Sequence, residues 1–137
     1  MFRRILVPVD FTKKNLRAVR MAAKLAVPRQ ATVTLLHVIE RVEDGEPGVA
    51  SAFYRRLETN AKNRMKALLA AAGGASAKAQ ILYGNRVNEI LRSIVEERID
   101  LVVMSSHRLA LRNPGENWGT ISYKVGILSP CPVLLVK

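Results

Sequence analysis

The chain has 137 residues and one cysteine, and its 22 lysine and arginine residues against 11 aspartate and glutamate residues give a formal net charge of +11. This length predicts one domain over residues 1–137, and the single Cys131 excludes an intramolecular disulfide and indicates a reducing compartment. No stretch approaches the roughly 18 apolar residues of a membrane span, and the apolar run after Met1 is too short for a secretory signal, so we expect a soluble, cytoplasmic protein.

Predicted strands and helices alternate along the sequence, beginning with a strand at residues 5–9. Thr12 is the predicted N-cap of the first helix, and Pro28 marks its end. The apolar face of this helix is predicted to contain Leu16, Val19, Ala23 and Ala26. The later strands are predicted at residues 32–39, 78–83, 100–104 and 133–136. The helices between them are predicted at residues 51–72, after Gly84-Asn85, and around Ile121, Val125 and Leu128. The apolar face of the helix at 51–72 is predicted to contain Phe53, Leu57, Ala61, Leu68 and Ala72.

This order of elements predicts an α/β fold. Strands that are apolar at consecutive positions and joined by helices are typical of a parallel sheet covered on both faces. Right-handed crossovers then give a doubly wound sheet, which binds ligands beyond the carboxyl ends of its strands, where the winding reverses.

The common catalytic and phosphate-binding motifs are absent from the sequence. The eight glycines form neither the dinucleotide fingerprint nor the P-loop, and no G-x-S-x-G elbow occurs. His37, His107 and Cys131 are too few to suggest a metal site, and His37 lies in an apolar run that predicts a structural histidine with satisfied hydrogen bonds. No carboxylate pair or nucleophile–base couple is evident, so we expect no catalytic residue, no metal and no enzymatic activity.

Four segments resemble the universal stress protein family, and they follow the family's order over the whole chain. Residues 5–10 (Ile-Leu-Val-Pro-Val-Asp) resemble its first strand, and residues 36–38 (Leu-His-Val) resemble its second. Residues 100–107 are similar to its fourth strand, and residues 129–136 are similar to its last. The resemblance implies one five-stranded sheet in the order 3-2-1-4-5, with Asp10 and Ser105 facing the same crevice.

The resemblance also implies an adenine-nucleotide site for ATP or AMP. In nucleotide-binding members the adenine lies near the ends of strands one and two, and the phosphates follow a G-x-x-G loop that is closed nine residues later by G-[ST]. Gly119-Thr120 matches the closing pair in this chain. The candidate nucleotide-binding residues are Pro8, Val9, Asp10, Val38, Met104, Ser105, His107, Arg108, Gly119 and Thr120.

The phosphate loop departs from the family's pattern at three points. Ser105 and Arg108 stand at the two glycine positions, and ten residues separate Arg108 from Gly119. Side chains occupy space that phosphates need, so we expect the crevice to bind nucleotide weakly. Either Arg108 blocks the path of the phosphates, or His107, Arg108 and Arg112 hold phosphate with side chains instead of backbone amides, which predicts a strong dependence on salt.

Two predicted surfaces indicate binding partners, a second copy of this chain and an anionic molecule. The last strand, predicted at the sheet edge, is apolar, and family members commonly dimerise through it, so Val133, Leu134, Leu135 and Val136 predict a homodimer. Lysines and arginines with helical spacing form a basic stripe on the first two helices: Lys13, Arg17, Arg20, Lys24, Arg55, Lys62 and Lys66. The functions left open are a regulatory stress-response module that binds an adenine nucleotide, a dimeric stress protein that has lost this binding, and a basic adaptor that binds nucleic acid or another anionic partner through these helices.

Overall fold

The computed structural model describes residues 1–41, 47–106 and 120–137. The elements are β1 (Arg4–Pro8), α1 (Lys14–Leu25), β2 (Thr32–Ile39), α2 (Pro47–Ala71), β3 (Ser76–Tyr83), α3 (Arg86–Glu96), β4 (Leu101–Ser105), α4 (Ile121–Leu128) and β5 (Val133–Val136). The predicted bounds of the second and last strands are confirmed. The other strands differ by one or two residues, and the second helix begins four residues before its predicted start.

The five strands form one parallel sheet in the order β3-β2-β1-β4-β5. In this sheet β1 lies between β2 and β4, with Val7 opposite Leu35 and Ile5 opposite Leu101. The winding therefore reverses between β1 and β4, so the predicted fold class and strand order are confirmed. This reversal opens a crevice at the carboxyl ends of the two central strands.

Successive residues of β1 pack into two separate hydrophobic clusters, because side chains alternate between the faces of a sheet. Val7 packs with Val19 of α1 and Met65 of α2. Leu6 packs with Ile94 of α3 and Val125 of α4. Helices therefore cover both faces of the sheet, and α1 and α2 share one face, as predicted.

The first helix differs from its prediction in phase and at both ends. Leu16 is 37% exposed, and the buried positions are Asn15, Ala18, Val19 and Ala22. The helix packs against the sheet through small side chains such as Ala18 and Ala22. The larger Leu16 lies outside this contact with the sheet. Lys13 is the N-cap, without a side-chain bond to the helix, so the prediction for Thr12 is wrong. The helix ends at Leu25 because Ala26 is extended and pairs with Phe2 in a β-bridge.

The apolar face predicted for the second helix is only partly buried. Ala61 and Ala72 are buried, whereas Phe53 is 50% exposed and Leu57 is 36% exposed. A 25-residue helix spans roughly 37 Å, and the eight residues of the neighbouring β2 span roughly 26 Å. The amino-terminal half of α2 therefore extends beyond the sheet, where Leu57 borders a cavity.

Candidate functional site

A cavity of about 320 Å³ opens at the carboxyl ends of β1, β2 and β4, beside the start of α4. We refer to it as the crevice. The predicted nucleotide-binding residues that line it are Pro8, Val9, Asp10, Val38, Met104, Ser105 and Thr120. His107, Arg108 and Gly119 lie outside the described residues. Residues separated by more than 100 positions in sequence thus surround one space, and their role as ligands stays a prediction.

Asn15 forms the floor of the crevice and joins β1 to β4. Its side-chain Oδ1 accepts the backbone N–H groups of Asp10 at 2.9 Å and of Phe11 at 2.7 Å. Its Nδ2 donates to the hydroxyl of Ser105 at 3.2 Å. Asn15 is only 2% exposed, so these bonds satisfy a buried amide that would otherwise cost free energy. We call this group, Asn15 with the two amides and the Ser105 hydroxyl, the crevice floor.

Phe11 follows β1 in a left-handed backbone conformation with φ of +64°. A residue with a bulky side chain adopts this conformation at a cost of roughly 1–2 kcal/mol. The bond from its N–H to Asn15 holds the turn in place. The turn directs the phenyl ring against the imidazole of His37, with the ring centroids 4.2 Å apart. Backbone strain is thus retained next to the candidate site, a common position for it.

The carboxylate of Asp10 is oriented by the next turn of the chain. Its Oδ1 accepts the backbone N–H of Thr12 at 3.1 Å and the Thr12 hydroxyl at 2.8 Å. The Thr12 hydroxyl thus bonds back to Asp10, ahead of the helix that begins at Lys14. The exposed carboxylate therefore has a fixed position at the rim of the crevice.

His37 is half-buried and lines the crevice from β2. Its Nδ1 lies 2.9 Å from the carbonyl oxygen of Val9. Burial lowers the pKa of His37 below 6.5, the nearby Arg86 lowers it further, and the bond to Val9 opposes the shift. At neutral pH the ring is therefore uncharged, Nδ1–H donates to Val9, and Nε2 is an acceptor. The prediction of a satisfied histidine agrees with this bond, but nothing in the sequence indicated that the ring lines a cavity.

The start of α4 closes the crevice on the side of β4. Thr120 is the N-cap of this helix, and its hydroxyl accepts the backbone N–H of Tyr123 at 3.3 Å. Ile121 and Ser122 follow it along the crevice wall. Because the amino end of a helix carries partial positive charge, this wall favours an anionic ligand.

Lys14, in the first turn of α1, adds a cation near the end of β4. Its ammonium group donates to the carbonyl oxygen of Ser106 at 3.2 Å. The structure shows a protein contact for Lys14, at the chain segment that leaves the crevice.

Sequence reasoning missed four polar residues of the crevice: Asn15, His37, Arg86 and Ser122. The only sequence signal among them belongs to Asn15. Positions 15, 18, 19 and 22 have perfect helical spacing, so a polar residue in this series indicates a buried amide with a specific partner. The positions of Arg86 and Ser122 depend on how α3 and α4 pack against the sheet.

In residues 1–41, 47–106 and 120–137, no group of three or more His, Cys, Asp and Glu side chains could hold a metal ion. Over the same part of the chain, no helix has the length and apolar character needed to cross a membrane.

Comparison with known proteins relates this crevice to a family. The model of the universal stress protein family matches residues 1–137. The chain belongs to the universal stress protein family. It is 36% identical over 140 residues to the Thermus aquaticus universal stress protein in the QAH/OAS sulfhydrylase 3′ region, with 100% of both chains covered.

Solved structures of universal stress proteins share the fold. The UspA structure from Lactobacillus plantarum has a TM-score of 0.80 and 25% identity, covering 99% of this chain and 98% of that one. An Archaeoglobus fulgidus universal stress protein, solved in complex with dAMP, has a TM-score of 0.73 and 18% identity, covering 99% and 98%. The strand order and the four helices described above are those of the universal stress protein fold.

In this universal stress protein, β5 is the last strand of the sheet and lies beside α4. Of the predicted dimer residues, Leu134 and Leu135 are each 37% exposed, and Val136 is buried. On α4, Ile127 and Leu128 are 63% and 59% exposed. We call β5 together with these two α4 residues the β5 edge. It is an apolar surface at one end of the sheet.

The basic stripe is exposed on the face covered by α1 and α2. All seven of its side chains are exposed: Lys13, Arg17, Arg20, Lys24, Arg55, Lys62 and Lys66. Arg17 donates to the carbonyl oxygen of Lys137 at 3.0 Å, and Lys62 pairs with Glu58 at 3.4 Å. The stripe thus remains largely available to solvent.

Proposed function

We propose that this universal stress protein is a cytoplasmic, dimeric regulatory module that responds to stress by binding an adenine nucleotide, ATP or AMP, in the crevice. The observation that carries the proposal is the assembly of seven predicted residues around one cavity. Its volume, about 320 Å³, lies in the range of small-molecule sites, roughly 300–1,000 Å³.

The chemistry of the crevice suits a nucleotide. Val38, Ile90 and Met104 supply apolar surface for a flat ring. The Asp10 carboxylate supplies an acceptor for amino or hydroxyl groups, and the amino end of α4 favours phosphate. The Archaeoglobus fulgidus neighbour is described as a complex with dAMP, which supports an adenine nucleotide as the ligand class.

The affinity is expected to be weak and dependent on salt. The hydroxyl of Ser105 is already bonded to Asn15, and its side chain stands where a family glycine would leave room for phosphate. Attraction to exposed cations is screened over about 8 Å at physiological ionic strength. The side chains that would replace the glycine loop therefore bind phosphate less firmly than a backbone cradle does.

A binding role suits the crevice better than a catalytic one. Among its described lining residues, Asp10 is the carboxylate and His37 is the base. The first is bonded to Thr12, and Nδ1 of the second is bonded to Val9. These bonds hold both groups in place, which suits recognition of a ligand better than movement of a proton.

Homodimerisation is supported by the β5 edge. Exposed apolar sheet edges recruit further chains, and here the exposed leucines of β5 continue into the exposed apolar residues of α4. A second copy placed about a two-fold axis would bury the same patch on both chains.

Mass spectrometry of small molecules released from freshly purified protein tests the ligand class. We expect AMP or ATP at a level that falls when the protein is washed in high salt. A charge-neutral Asp10→Asn variant keeps the acceptor for Thr12 and should retain less nucleotide. The absence of any adenine compound, both after purification and after incubation with millimolar ATP, would contradict the proposal.

The second candidate function is a basic adaptor, which the exposed stripe on α1 and α2 supports. Such a surface binds nucleic acid by neutralising phosphates, so its affinity should fall steeply with salt. Fluorescence anisotropy with a short DNA duplex tests it, and equal binding by a variant with Arg20, Lys24 and Lys66 changed to Gln would reject it.

A further inference from the structure

A second cavity lies beside the crevice, between α2 and the carboxyl end of β2. Its volume is about 280 Å³, and we refer to it as the side cavity. His37, Val38 and Arg86 line both cavities, so the two spaces share a wall. A nucleotide in the crevice would place its base near this wall and its phosphates at the start of α4. The side cavity is therefore left for a different ligand.

Part of the lining of the side cavity is apolar. α2 contributes Leu57 and Ala61, which lie one helical turn apart on the same face of the helix. Ile39, at the end of β2, and the ring of Phe11 add to this apolar lining. Such a lining favours a ligand with a carbon skeleton, because burying apolar surface of the ligand contributes binding free energy that an inorganic ion does not offer.

Two arginines line the same cavity. Arg64 lies on α2, and its guanidinium carbon is 5.7 Å from the centroid of the Phe11 ring. A guanidinium group above an aromatic ring keeps its in-plane N–H donors available for a ligand. Arg86 is the first residue of α3. Besides burial, both charges lower the pKa of His37, so both lie near the shared wall.

The side cavity carries a positive balance of charge. Glu40 is the carboxylate of its described lining, and that carboxylate already accepts the backbone N–H of Arg86 at 3.1 Å. Within the described part of the chain, the ion pairs involve neither Arg64 nor Arg86. Because His37 is neutral, two arginines stand against one carboxylate, and an anion that enters the cavity is attracted.

We propose that the side cavity binds a small organic acid through Arg64 and Arg86, as a ligand separate from the nucleotide of the crevice. A guanidinium group matches the two oxygens of a carboxylate with paired N–H donors, and the apolar lining contacts the carbon chain. The volume lies just below the roughly 300–1,000 Å³ of small-molecule sites, which suits an acid of a few carbon atoms. This inference goes beyond the proposed function and does not depend on it.

The experiment titrates the full chain with succinate at constant ionic strength, and NMR follows the backbone amides and the arginine side-chain Nε–H groups. Succinamide is the neutral probe of similar shape, and sulfate is an anion of the same charge without a carbon chain. Arg64→Met and Arg86→Met remove a charge from the cavity and keep a flexible side chain. Arg56→Met is the matched control, because Arg56 is an exposed arginine on the same helix that lines neither cavity.

We expect saturable succinate shifts at the Nε–H groups of Arg64 and Arg86 and at the amide of Ala61. Each cavity variant should weaken succinate binding by about fivefold, which is the upper range for an exposed charge pair, and Arg56→Met should leave it unchanged. Succinamide and sulfate should each bind more weakly than succinate, because one lacks the charge and the other lacks the carbon chain. Saturating AMP should not displace succinate.

Three outcomes overturn the organic-acid site. The first is a succinate affinity that is equal in the wild type and both cavity variants, and the second is sulfate binding as tight as succinate binding. The third is displacement of succinate by AMP, which would show that the two ligands share one site. Failure of AMP to bind at all would contradict the proposed function, whereas selective succinate binding would still establish the organic-acid site.

Discussion

The crevice floor and the β5 edge differ in how far contacts within the chain satisfy their side chains. At the floor, a buried polar residue has its partners within the same chain, because Asn15 bonds two backbone amides and the Ser105 hydroxyl. At the β5 edge, large apolar side chains remain exposed, with Ile127 at 63% and Leu135 at 37%. The polar groups of the floor are thus satisfied within one chain, whereas the apolar side chains of the edge remain exposed in it.

This difference separates two kinds of mutational effect. Changes at the floor should reduce the stability of a single chain and disorder the crevice at the same time, because the same bonds serve both. Changes at the β5 edge should alter association and leave the fold and the crevice intact. Single substitutions at each region can test this division.

The largest effect is expected from Asn15→Leu. The substitution keeps the volume but leaves two backbone amides and the Ser105 hydroxyl without partners, each at a cost of about 1–3 kcal/mol if it stays buried. We expect the free energy of unfolding to fall by about 2–5 kcal/mol, measured by urea denaturation. Asn63→Leu, at an exposed position of α2, should change it by less than about 0.5 kcal/mol. Equal effects of the two variants would show that the floor does not stabilise the fold.

The next effect concerns the β5 edge. In a two-fold dimer, Leu135→Lys would place one charge from each chain in the interface. An unpaired buried charge is strongly unfavourable. We expect the dissociation constant of the dimer to rise by at least about a hundredfold with little change in stability. Light scattering should then change from twice the 15.2 kDa chain mass to one chain mass.

Val95→Lys is the control for this change, because Val95 is a 67% exposed apolar residue on α3. It should leave the dimer intact. A wild-type protein that has the mass of one chain at micromolar concentration would reject the dimer altogether.

A smaller effect is expected from the titration of His37, beside the floor. Because burial lowers its pKa below 6.5 in the folded chain, the unfolded chain binds this proton more readily. The stabilising contribution is therefore complete above the unfolded-state pKa and is lost as the pH falls through the folded-state pKa. NMR titration should give an imidazole pKa under 6.5, and His37→Gln should flatten the loss of stability with acid. A value at or above 6.5 would contradict the burial of the neutral ring.

The strands and the fold class could be predicted because apolar runs between turn residues depend on local sequence. The strand order came from the family resemblance, and the residues that meet at the carboxyl ends of the strands followed from it. The floor was missed because one partner of Asn15, the Ser105 hydroxyl, lies 90 residues away in the sequence. Arg86 was missed for a similar reason, since its position at the crevice depends on how α3 packs against the sheet.

The central claim is that adenine nucleotide binds in the crevice, and amide NMR during a titration with AMP tests it most directly. The account predicts saturable shifts concentrated at Val9, Asp10, Val38, Ser105 and Thr120, which lie at the carboxyl ends of three strands and at the start of α4 but line one cavity. Shifts confined to the basic stripe of α1 and α2, or no saturable shifts at millimolar AMP, would contradict it.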